Sequence, residues 1–226
     1  MSAHGLVALL PFKAHSERVP RKNFRQLGGK PLYAWMLDTL LALDAVERIV
    51  INTDAESEFG GDARLSHPKV LVRSRSAMLC GDRVSMNLII ADDIAALPAE
   101  HYLMTHVTNP FLSAASIAAA WRAYRRGVDE ASADSLFSVT RHQTRFYRAD
   151  GSAINHDPNN LIRTQDLEPW FEENSCMYLF SAESFHRTAA RIGARPLLFP
   201  LTKREAVDID DEDDWNIAAL LAAGMQ

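Results

Sequence analysis

Two kinds of apolar segment alternate along the chain. Short apolar runs, several of them rich in β-branched residues, predict buried strands, and longer segments with apolar residues at helical spacing predict helices. The predicted strands are Leu6–Pro11, Glu47–Thr53, Val70–Val72, His101–Val107, Ser135–Thr140, Cys176–Phe180 and Leu197–Pro200. The predicted helices are Pro31–Leu43, Ser85–Leu97, Ala114–Tyr124, Glu183–Ile192 and Asp211–Ala223. This alternation predicts an α/β fold with a mainly parallel sheet flanked by helices.

A polar segment from Arg141 to Asn174 interrupts the alternation. It carries Tyr147, Trp170 and Phe171 among polar residues and prolines. We interpret it as an inserted hairpin or lobe that covers a site or pairs with a second subunit. No repeat or Pro/Gly/Ser-rich linker divides the chain, so we expect one domain over residues 1–226 with an insert lobe at about 141–172.

Composition narrows the class of protein. The 226 residues are 47% apolar, which suffices for a full core, and the net charge of -5 argues against broad binding to nucleic acids or membrane surfaces. The segment Met1–Leu10 lacks a cationic start and is too short to span a bilayer. Cys80 and Cys176 lie far apart without metal-ligand spacing, so we expect reduced thiols and a cytoplasmic location.

The loop after the first predicted strand concentrates positive charge in an acidic chain. It contains Lys13, Arg18, Arg21 and Lys22. Ligands of open α/β sheets bind beyond the carboxyl ends of the strands, and contacts from cations to phosphates are charge-assisted. The loop therefore indicates a polyphosphate site, with a solvated basic loop as the alternative. It matches neither the P-loop pattern nor a Gly-x-Gly-x-x-Gly turn.

An acidic segment precedes the last predicted helix. Asp208 and Asp210 alternate about Ile209, so both carboxylates point the same way on an extended segment. Two hard oxygen ligands suit Mg²⁺ that is shared with phosphates. The alternative, a charge cluster that favours the helix dipole, explains residues 211–214 well but not two residues before the helix. We therefore favour a metal role for Asp208 and Asp210.

The first loop and Gly29-Lys30-Pro31-Leu32 together resemble the signature of the acylneuraminate cytidylyltransferases. These are the CMP-sialic acid synthetases, and the CMP-Kdo synthetases are their relatives. The family form is Pro-Ala-Arg-Gly-Gly-Ser-Lys-x-x-x-x-Lys-Asn, followed by Gly-Lys-Pro-Leu. The matching residues of the loop are Ser16, Pro20, Lys22 and Asn23. Lys13 stands for the family Arg, and Ala14 and His15 replace the glycines. Glu17 reverses the charge of a phosphate-binding Lys, which Arg18 or Arg21 would offset.

Three middle segments extend the resemblance. Residues 75–82 look like the family segment Arg-Pro-x-x-Leu-Ala-x-Asp, in which the Arg holds the base; Arg75 on a surface loop and Asp82 as a helix cap are the alternatives. Asp54 ends a segment similar to Ser-Thr-Asp, with an N-cap as its more ordinary role. In residues 105–111, Thr108 matches the family, and His106 stands where a Gln binds the sugar acid. A His is more often structural at a strand end, but a pKa near neutrality would make binding pH-dependent.

The segment Arg163–Tyr178 resembles a further family motif, Arg-x-Gln-x-x-Pro-x-x-Tyr-x-x-Asn-Gly-Ala-x-Tyr. The matching residues are Arg163, Gln165, Pro169, Asn174 and Tyr178. An Arg and two amides suit a polyhydroxylated carboxylic acid, with ordinary surface polar residues as the alternative. Phe171 replaces a Tyr and Ser175 a Gly, which indicates a sugar other than ordinary N-acetylneuraminate.

The resemblance implies a Rossmann-like nucleotidyltransferase fold. It implies that CTP and Mg²⁺ activate a sialic-acid-like 2-keto sugar acid as its CMP derivative in a homodimer that involves the insert lobe. The implied catalytic residues are Lys22, Asp208 and Asp210, the two aspartates being the metal ligands. The implied nucleotide-binding residues are Lys13, Ser16, Arg18, Arg21, Lys22, Asn23, Arg75 and Cys80. The implied sugar-binding residues are His106, Thr108, Arg163, Gln165, Phe171 and Asn174. The alternatives are a nucleotidyltransferase for another sugar or nucleotide and a non-catalytic nucleotide-sugar-binding homologue.

Overall fold

The computed structural model describes residues 5–81 and 83–225. Asp82 and the first four residues of the segment Met1–Leu10 lie outside the described residues. The strands are β1 (Leu6–Leu9), β2 (Gln26–Leu27), β3 (Lys30–Pro31), β4 (Val46–Thr53), β5 (Val70–Ser74), β6 (His101–Thr105), β7 (Ser135–His142), β8 (Trp170–Ser181) and β9 (Pro196–Pro200). The α-helices are α1 (Leu32–Leu41), α2 (Met86–Ala96), α3 (Ala114–Asp129), α4 (Ala182–Thr188) and α5 (Glu212–Ala223).

Seven of these strands form one sheet in the order β5-β4-β1-β6-β8-β7-β9. Strand β8 runs antiparallel to both of its neighbours, and the other pairs are parallel. The α/β prediction with a mainly parallel sheet is confirmed. The carboxyl ends of β1, β4, β5 and β6 consequently meet at one edge of the sheet.

Alternation along β1 shows how both faces of the sheet are covered. Leu6 and Ala8 belong to one core cluster and Val7 and Leu9 to another, because successive side chains of a strand point to opposite faces. Residues of α1 and α3 contribute to the first cluster, and residues of α2 and α4 to the second. This explains why β1 reads as a continuous apolar run.

A third core cluster joins the two ends of the chain. Val19 of the first loop packs in it with Ile209, with Trp215 of α5 and with Ala218. Burial of these apolar side chains draws the acidic segment before α5 towards the basic loop after β1. The chemistry-bearing segments at opposite ends of the sequence are therefore neighbours in the fold.

Side-chain caps explain where the helices begin. Ser85, Ser113 and Ser181 each accept a hydrogen bond from a backbone N–H in the first turn of the helix that follows. Asp211 caps α5 in a reciprocal capping box with Asp214. Such caps satisfy backbone donors that have no partner inside the helix. None of the helices within residues 5–81 and 83–225 has the length and apolarity needed to cross a membrane.

The predicted insert is a lobe at the end of a two-stranded ribbon. Strands β7 and β8 pair from Val139 opposite Glu173 to His142 opposite Trp170. This pairing extends beyond the predicted strands, which were Ser135–Thr140 and Cys176–Phe180. The start predicted for β8, Cys176, was wrong because residues 170–173 are exposed and lack a buried apolar pattern. Residues 143–169 form the lobe itself, which contains a short 3₁₀-helix at Thr164–Asp166.

Candidate functional site

A cleft of ≈ 310 Å³ opens at the carboxyl edge of the sheet. The first loop, residues 11–23, lines one side, and Gly81, Val84, Met86 and Ile89 line another. The end of β6 contributes residues 106–108. The predicted site residues that line this cleft are Lys13, Ser16, Arg18, Lys22, Asn23, Arg75, His106 and Thr108.

Lys22 is the buried cation of the cleft. Only 8% of the residue is exposed, and Nζ donates a hydrogen bond of 2.5 Å to the carbonyl of Ile209. The same Nζ lies 3.9 Å from Oδ1 of Asp210. Burial lowers the pKa of Lys22, and the charges of Asp210 and Asp208 oppose that shift. The basic loop and the acidic segment thus meet, as the sequence predicts for a shared polyphosphate and metal site.

The acidic segment runs along the loop after β6. The backbone N–H of Ile209 donates to the carbonyl of Thr108 at 2.9 Å, and Nδ2 of Asn109 donates to the carbonyl of Val207 at 3.3 Å. These bonds hold Asp208 beside Thr108, whose hydroxyl bonds to the carboxyl group. Oδ1 of Asp208 is buried without a hydrogen-bond partner in the described residues. Burial raises the pKa of Asp208, and the neighbouring Asp210 raises it further.

The helix-cap alternative for the acidic segment applies to other residues. Oδ1 of Asp211 accepts the N–H of Asp214 at 3.0 Å, and Oδ2 of Asp214 accepts the N–H groups of Asp210 and Asp211. The carboxylate of Asp210 instead accepts a hydrogen bond of 2.9 Å from Arg18. The side chains of Asp208 and Asp210 therefore have no capping role in this hydrogen-bond pattern.

The two carboxylates fit a divalent cation that also binds a ligand. No group of three or more His, Cys, Asp or Glu side chains in the described part of the chain is arranged to hold a metal ion alone. The buried Oδ1 of Asp208 is a hard acceptor with no hydrogen-bond partner among the described residues. Mg²⁺ keeps several water or phosphate ligands and needs only one or two carboxylates from the protein. Asp208 and Asp210 would hold such an ion.

Arg75 ties three strand ends together beneath the cleft. Its Nε donates to Oδ1 of Asn52 at 2.9 Å, and its Nη2 donates to the carbonyls of Asn52 and Phe12 at 2.6 and 3.1 Å. Asn52 is itself held by Asp93 of α2, at 2.7 Å. Burial lowers the pKa of Arg75. The alternative of an unremarkable surface loop was wrong for this residue.

The first loop is shaped by side-chain hydrogen bonds where related loops have glycines. Oδ1 of Asp54 accepts the N–H of Ala14 at 2.7 Å, and Nδ2 of Asn23 donates to the carbonyl of Lys13 at 2.8 Å. The predicted N-cap role of Asp54 was wrong, because Ala55 is the residue that precedes the next 3₁₀-helix. Oδ1 of Asn23 is buried with no hydrogen-bond partner among the described residues. It is an acceptor available to a ligand in the cleft.

His106 is neutral at physiological pH. Burial lowers its pKa to about 4, and the positive charges of Arg191 and Lys22 act in the same direction. The expectation of a pKa near neutrality was wrong, because burial disfavours the charged imidazole and the two neighbouring cations add to that effect. His106 lines the cleft as an uncharged imidazole.

Two residues predicted for the nucleotide lie elsewhere. Arg21 pairs with Glu58 at 2.5 Å, and Cys80 donates from Sγ to the carbonyl of Ser76 at 3.5 Å. Neither Arg21 nor Cys80 is among the described residues that line the cleft. Arg18 rather than Arg21 is therefore the cation near the charge-reversed Glu17. Cys80 and Cys176 are free thiols, as predicted.

Of the predicted sugar-binding residues, His106 and Thr108 line this cleft, and the other four lie outside it. Arg163 pairs with Asp166 at 2.7 Å on the lobe, and the carbonyl of Gln165 accepts a bond from Gln143. Phe171 is exposed on the ribbon. Asn174 bonds to Ser138, Thr140 and the N–H of Cys176 within β7 and β8. Their contact with a sugar stays a prediction.

A second cleft, also ≈ 310 Å³, adjoins the first at Met86. It is lined by Ser85, Met86, Asn87, Glu173, Ala190, Arg191 and Ile192. Sequence reasoning missed Arg191, which follows α4 in an ordinary small-residue segment. The positive charge of Arg191 nevertheless contributes to the lowered pKa of His106 in the first cleft.

Comparison with known proteins relates the chain to the cytidylyltransferases. A profile of the cytidylyltransferase family matches residues 7–197. The N-acylneuraminate cytidylyltransferase of Streptococcus agalactiae serotype V is 22% identical over 213 residues, which cover 92% of this chain and 51% of that protein. The pseudaminic acid cytidylyltransferase of Campylobacter jejuni strain 81-176 is 23% identical over 226 residues, which cover 95% of both proteins. The chain thus spans about half the length of the first relative and nearly all of the second.

The fold is also similar to that of a solved nucleotidyltransferase. A CMP:2-keto-3-deoxy-manno-octonic acid synthetase complexed with CTP aligns with a TM-score of 0.68 at 14% identity, over 98% of this chain and 100% of that one. This confirms the Rossmann-like nucleotidyltransferase architecture. Since the family profile covers most of the sequence, the chain belongs to the cytidylyltransferase family.

Proposed function

We propose that the protein transfers a cytidylyl group from CTP to a sialic-acid-like 2-keto sugar acid, forming a CMP-sugar and pyrophosphate. The observation that carries the proposal is the distance of 3.9 Å between Asp210 Oδ1 and the Nζ of Lys22, which lines the cleft. A triphosphate bound there would contact cations on one side and carboxylates on the other. The names of the relatives from S. agalactiae and C. jejuni support a sugar acid as the acceptor.

The residues of the first loop would bind CTP. Lys13, Arg18 and Lys22 line the cleft and suit the phosphates, because each contact to phosphate is charge-assisted. The unpaired Oδ1 of Asn23 suits a donor on the cytosine or ribose. Arg75, fixed by Asn52 and the carbonyl of Phe12, lines the same cleft and suits the base.

Asp208 and Asp210 would hold Mg²⁺ on the phosphates. When bound, the ion would neutralise phosphate charge and polarise the reacting phosphoryl group. Burial raises the pKa of Asp208, and its buried Oδ1 has no hydrogen-bond partner among the described residues, which supports a cationic partner. Arg18 and Lys22 would keep Asp210 oriented before the nucleotide arrives.

The reaction would be a direct displacement at phosphorus. The anomeric hydroxyl oxygen of the sugar acid attacks the α-phosphorus of CTP, and its proton passes to solvent. The bond between the α-phosphorus and the oxygen that bridges to the β-phosphate breaks, and pyrophosphate leaves with that electron pair. Negative charge grows on the leaving oxygens, and Lys22 is a fixed, desolvated cation that stabilises it. Because Lys22 Nζ is already held by the carbonyl of Ile209, the side chain would need little reorganisation during the reaction.

We further propose a homodimer that pairs through the lobe, in the cytoplasm. Exposed Tyr147, Leu161 and Ile162 on the lobe support the pairing, because apolar groups on a protruding segment gain from burial against a second copy. The two free thiols support a reducing compartment.

The test is pyrophosphate release with CTP, Mg²⁺ and a panel of nonulosonic and octulosonic acids. We expect release with at least one acid and a thermal shift larger with CTP than with ATP, GTP or UTP. A larger shift with another triphosphate would favour a nucleotidyltransferase for a different nucleotide. Absence of release with every acid would count heavily against the proposal.

A non-catalytic nucleotide-sugar-binding homologue is the second candidate. The carboxylate of Glu17, which lines the phosphate cleft, favours it, because like charge weakens triphosphate binding. CTP binding by calorimetry without pyrophosphate release under any condition of the panel would support this candidate. A Glu17→Lys variant that gains turnover would support it further.

A further inference from the structure

The second cleft holds an arginine that the motifs of the sequence did not single out. Arg191 lies with its guanidinium carbon 4.0 Å from the centroid of the Tyr178 ring, and its Nη2 donates to the Tyr178 hydroxyl at 3.1 Å. Oε1 of Glu173 lies 3.7 Å from the same Nη2, and Tyr178 donates to that carboxylate. Stacking and hydrogen bonding fix the plane of the guanidinium.

Two donors of this guanidinium remain for a ligand. Nη2 makes the contacts to Tyr178 and Glu173, and no acceptor among residues 5–81 and 83–225 pairs with Nε or Nη1. The side chain is 20% exposed and lines the cleft. These two donors point in different directions, so a carboxylate in this partly desolvated cleft would accept a charge-assisted hydrogen bond from one of them.

The second cleft lies close enough to the first for one ligand to occupy both. The clefts share Met86, and the cations Arg191 and Lys22 both act on His106. In a 2-keto sugar acid the carboxylate is bonded to the anomeric carbon that bears the attacking hydroxyl. An acceptor whose hydroxyl faces the phosphates in the first cleft must therefore place its carboxylate close by.

We propose that Arg191 binds the carboxylate of the acceptor sugar acid, with Asn87 and Glu173 beside it for hydroxyl or amide groups. The proposal rests on the proposed function and assigns its acceptor subsite. It assigns to Arg191 the role that sequence motifs assign to Arg163, which lies on the exposed lobe paired with Asp166.

The experiment compares acid and amide forms of one acceptor. Binding of N-acetylneuraminic acid, pseudaminic acid and their C1 carboxamides would be measured by saturation-transfer NMR, in the presence of CTP and without divalent ions. The proteins are the wild type, Arg191→Gln, Arg191→Lys, Arg163→Gln and, as a matched surface control, Arg122→Gln. Calorimetric CTP affinity and the melting temperature establish that each variant is folded.

We expect Arg191→Gln to weaken binding of the acid at least tenfold and binding of the carboxamide less than twofold. Arg191→Lys keeps the charge but loses the planar guanidinium that stacks on Tyr178, so its effect should be intermediate. Arg122→Gln should match the wild type. The assignment is overturned if Arg191→Gln weakens binding of acid and amide equally, or weakens neither. It is also overturned if only Arg163→Gln weakens binding of the acid, or if neither acid binds to the wild type. Binding of an acid without turnover in the pyrophosphate assay would refute the proposed function while leaving Arg191 in place.

Discussion

Lys22 and Asp210 lie 3.9 Å apart although they come from opposite ends of the chain. Their approach follows from packing rather than from their charges, because Val19, Ile209 and Trp215 share an apolar cluster directly beside them. Lys22 also bonds to a backbone carbonyl, so its position does not depend on the carboxylate. A cation that is buried and fixed in this way suits a phosphate better than a flexible surface lysine does.

Removing either carboxylate should abolish turnover without unfolding the protein. We expect Asp208→Asn and Asp210→Asn each to lower the rate of pyrophosphate release by about 100-fold or more, because each would lose a ligand for Mg²⁺. Asp213→Asn, on the exposed first turn of α5, is the matched control and should keep the wild-type rate. Near-normal rates for Asp208→Asn or Asp210→Asn would remove the metal assignment.

The fold was predictable from the sequence because its strands and helices have strong local patterns. Leu6–Leu9 is apolar throughout, and Ser85, Ser113 and Asp211 stand where helices begin. Strand β8 was only half predictable, because its first residues gain their pairing from β7 and not from burial. Local pattern carries no signal for such long-range pairing.

The site was predictable only where a motif marks it. The pairing of the basic loop with Asp208 and Asp210 followed from motifs at both ends of the chain. Arg191 carries no motif, and its importance appears only when Tyr178 and Glu173 surround it. The pKa of His106 was mispredicted for a related reason, since its two cationic neighbours come from distant segments.

Asp93 should give the folded protein a distinct pH dependence. Burial raises its pKa to about 6, although Asn52 and Arg73 bond to it. The unfolded value is about 3.9, so the folded state holds this proton more tightly than the unfolded chain. The stability from this group is therefore fully present below about pH 3.9 and is lost as the pH rises through about 6.

Urea denaturation of the wild type and Asp93→Asn measures that dependence. We expect the wild type to lose about 1–2 kcal/mol of unfolding free energy from this group between pH 5 and 7.5. Asp93→Asn lacks the titrating group but keeps an oxygen for Asn52, so its curve should be flatter by that amount. Parallel curves for the two proteins would show that Asp93 stays ionised throughout.

His106 should contribute no inflection to the activity profile near neutrality. Its pKa of about 4 keeps the imidazole neutral, so His106 does not change the charge of the cleft between pH 6 and 8. We expect the profiles of kcat/KM for the wild type and His106→Gln to have the same shape over this range, whatever their absolute rates. An inflection between pH 6 and 8 that is present in the wild type and absent from the variant would contradict this.

The proposed dimer can be tested on the lobe. Leu161 is 65% exposed there, next to the exposed Ile162. We expect Leu161→Glu to weaken self-association at least tenfold in sedimentation velocity, because a charge would have to be buried in the interface. Leu220→Glu on α5, where the leucine is 77% exposed, is the matched control and should leave the sedimentation coefficient unchanged. A wild-type protein that sediments as a monomer at micromolar concentration would contradict the dimer. A dimer that is lost only with Leu220→Glu would place the interface on α5 and not on the lobe.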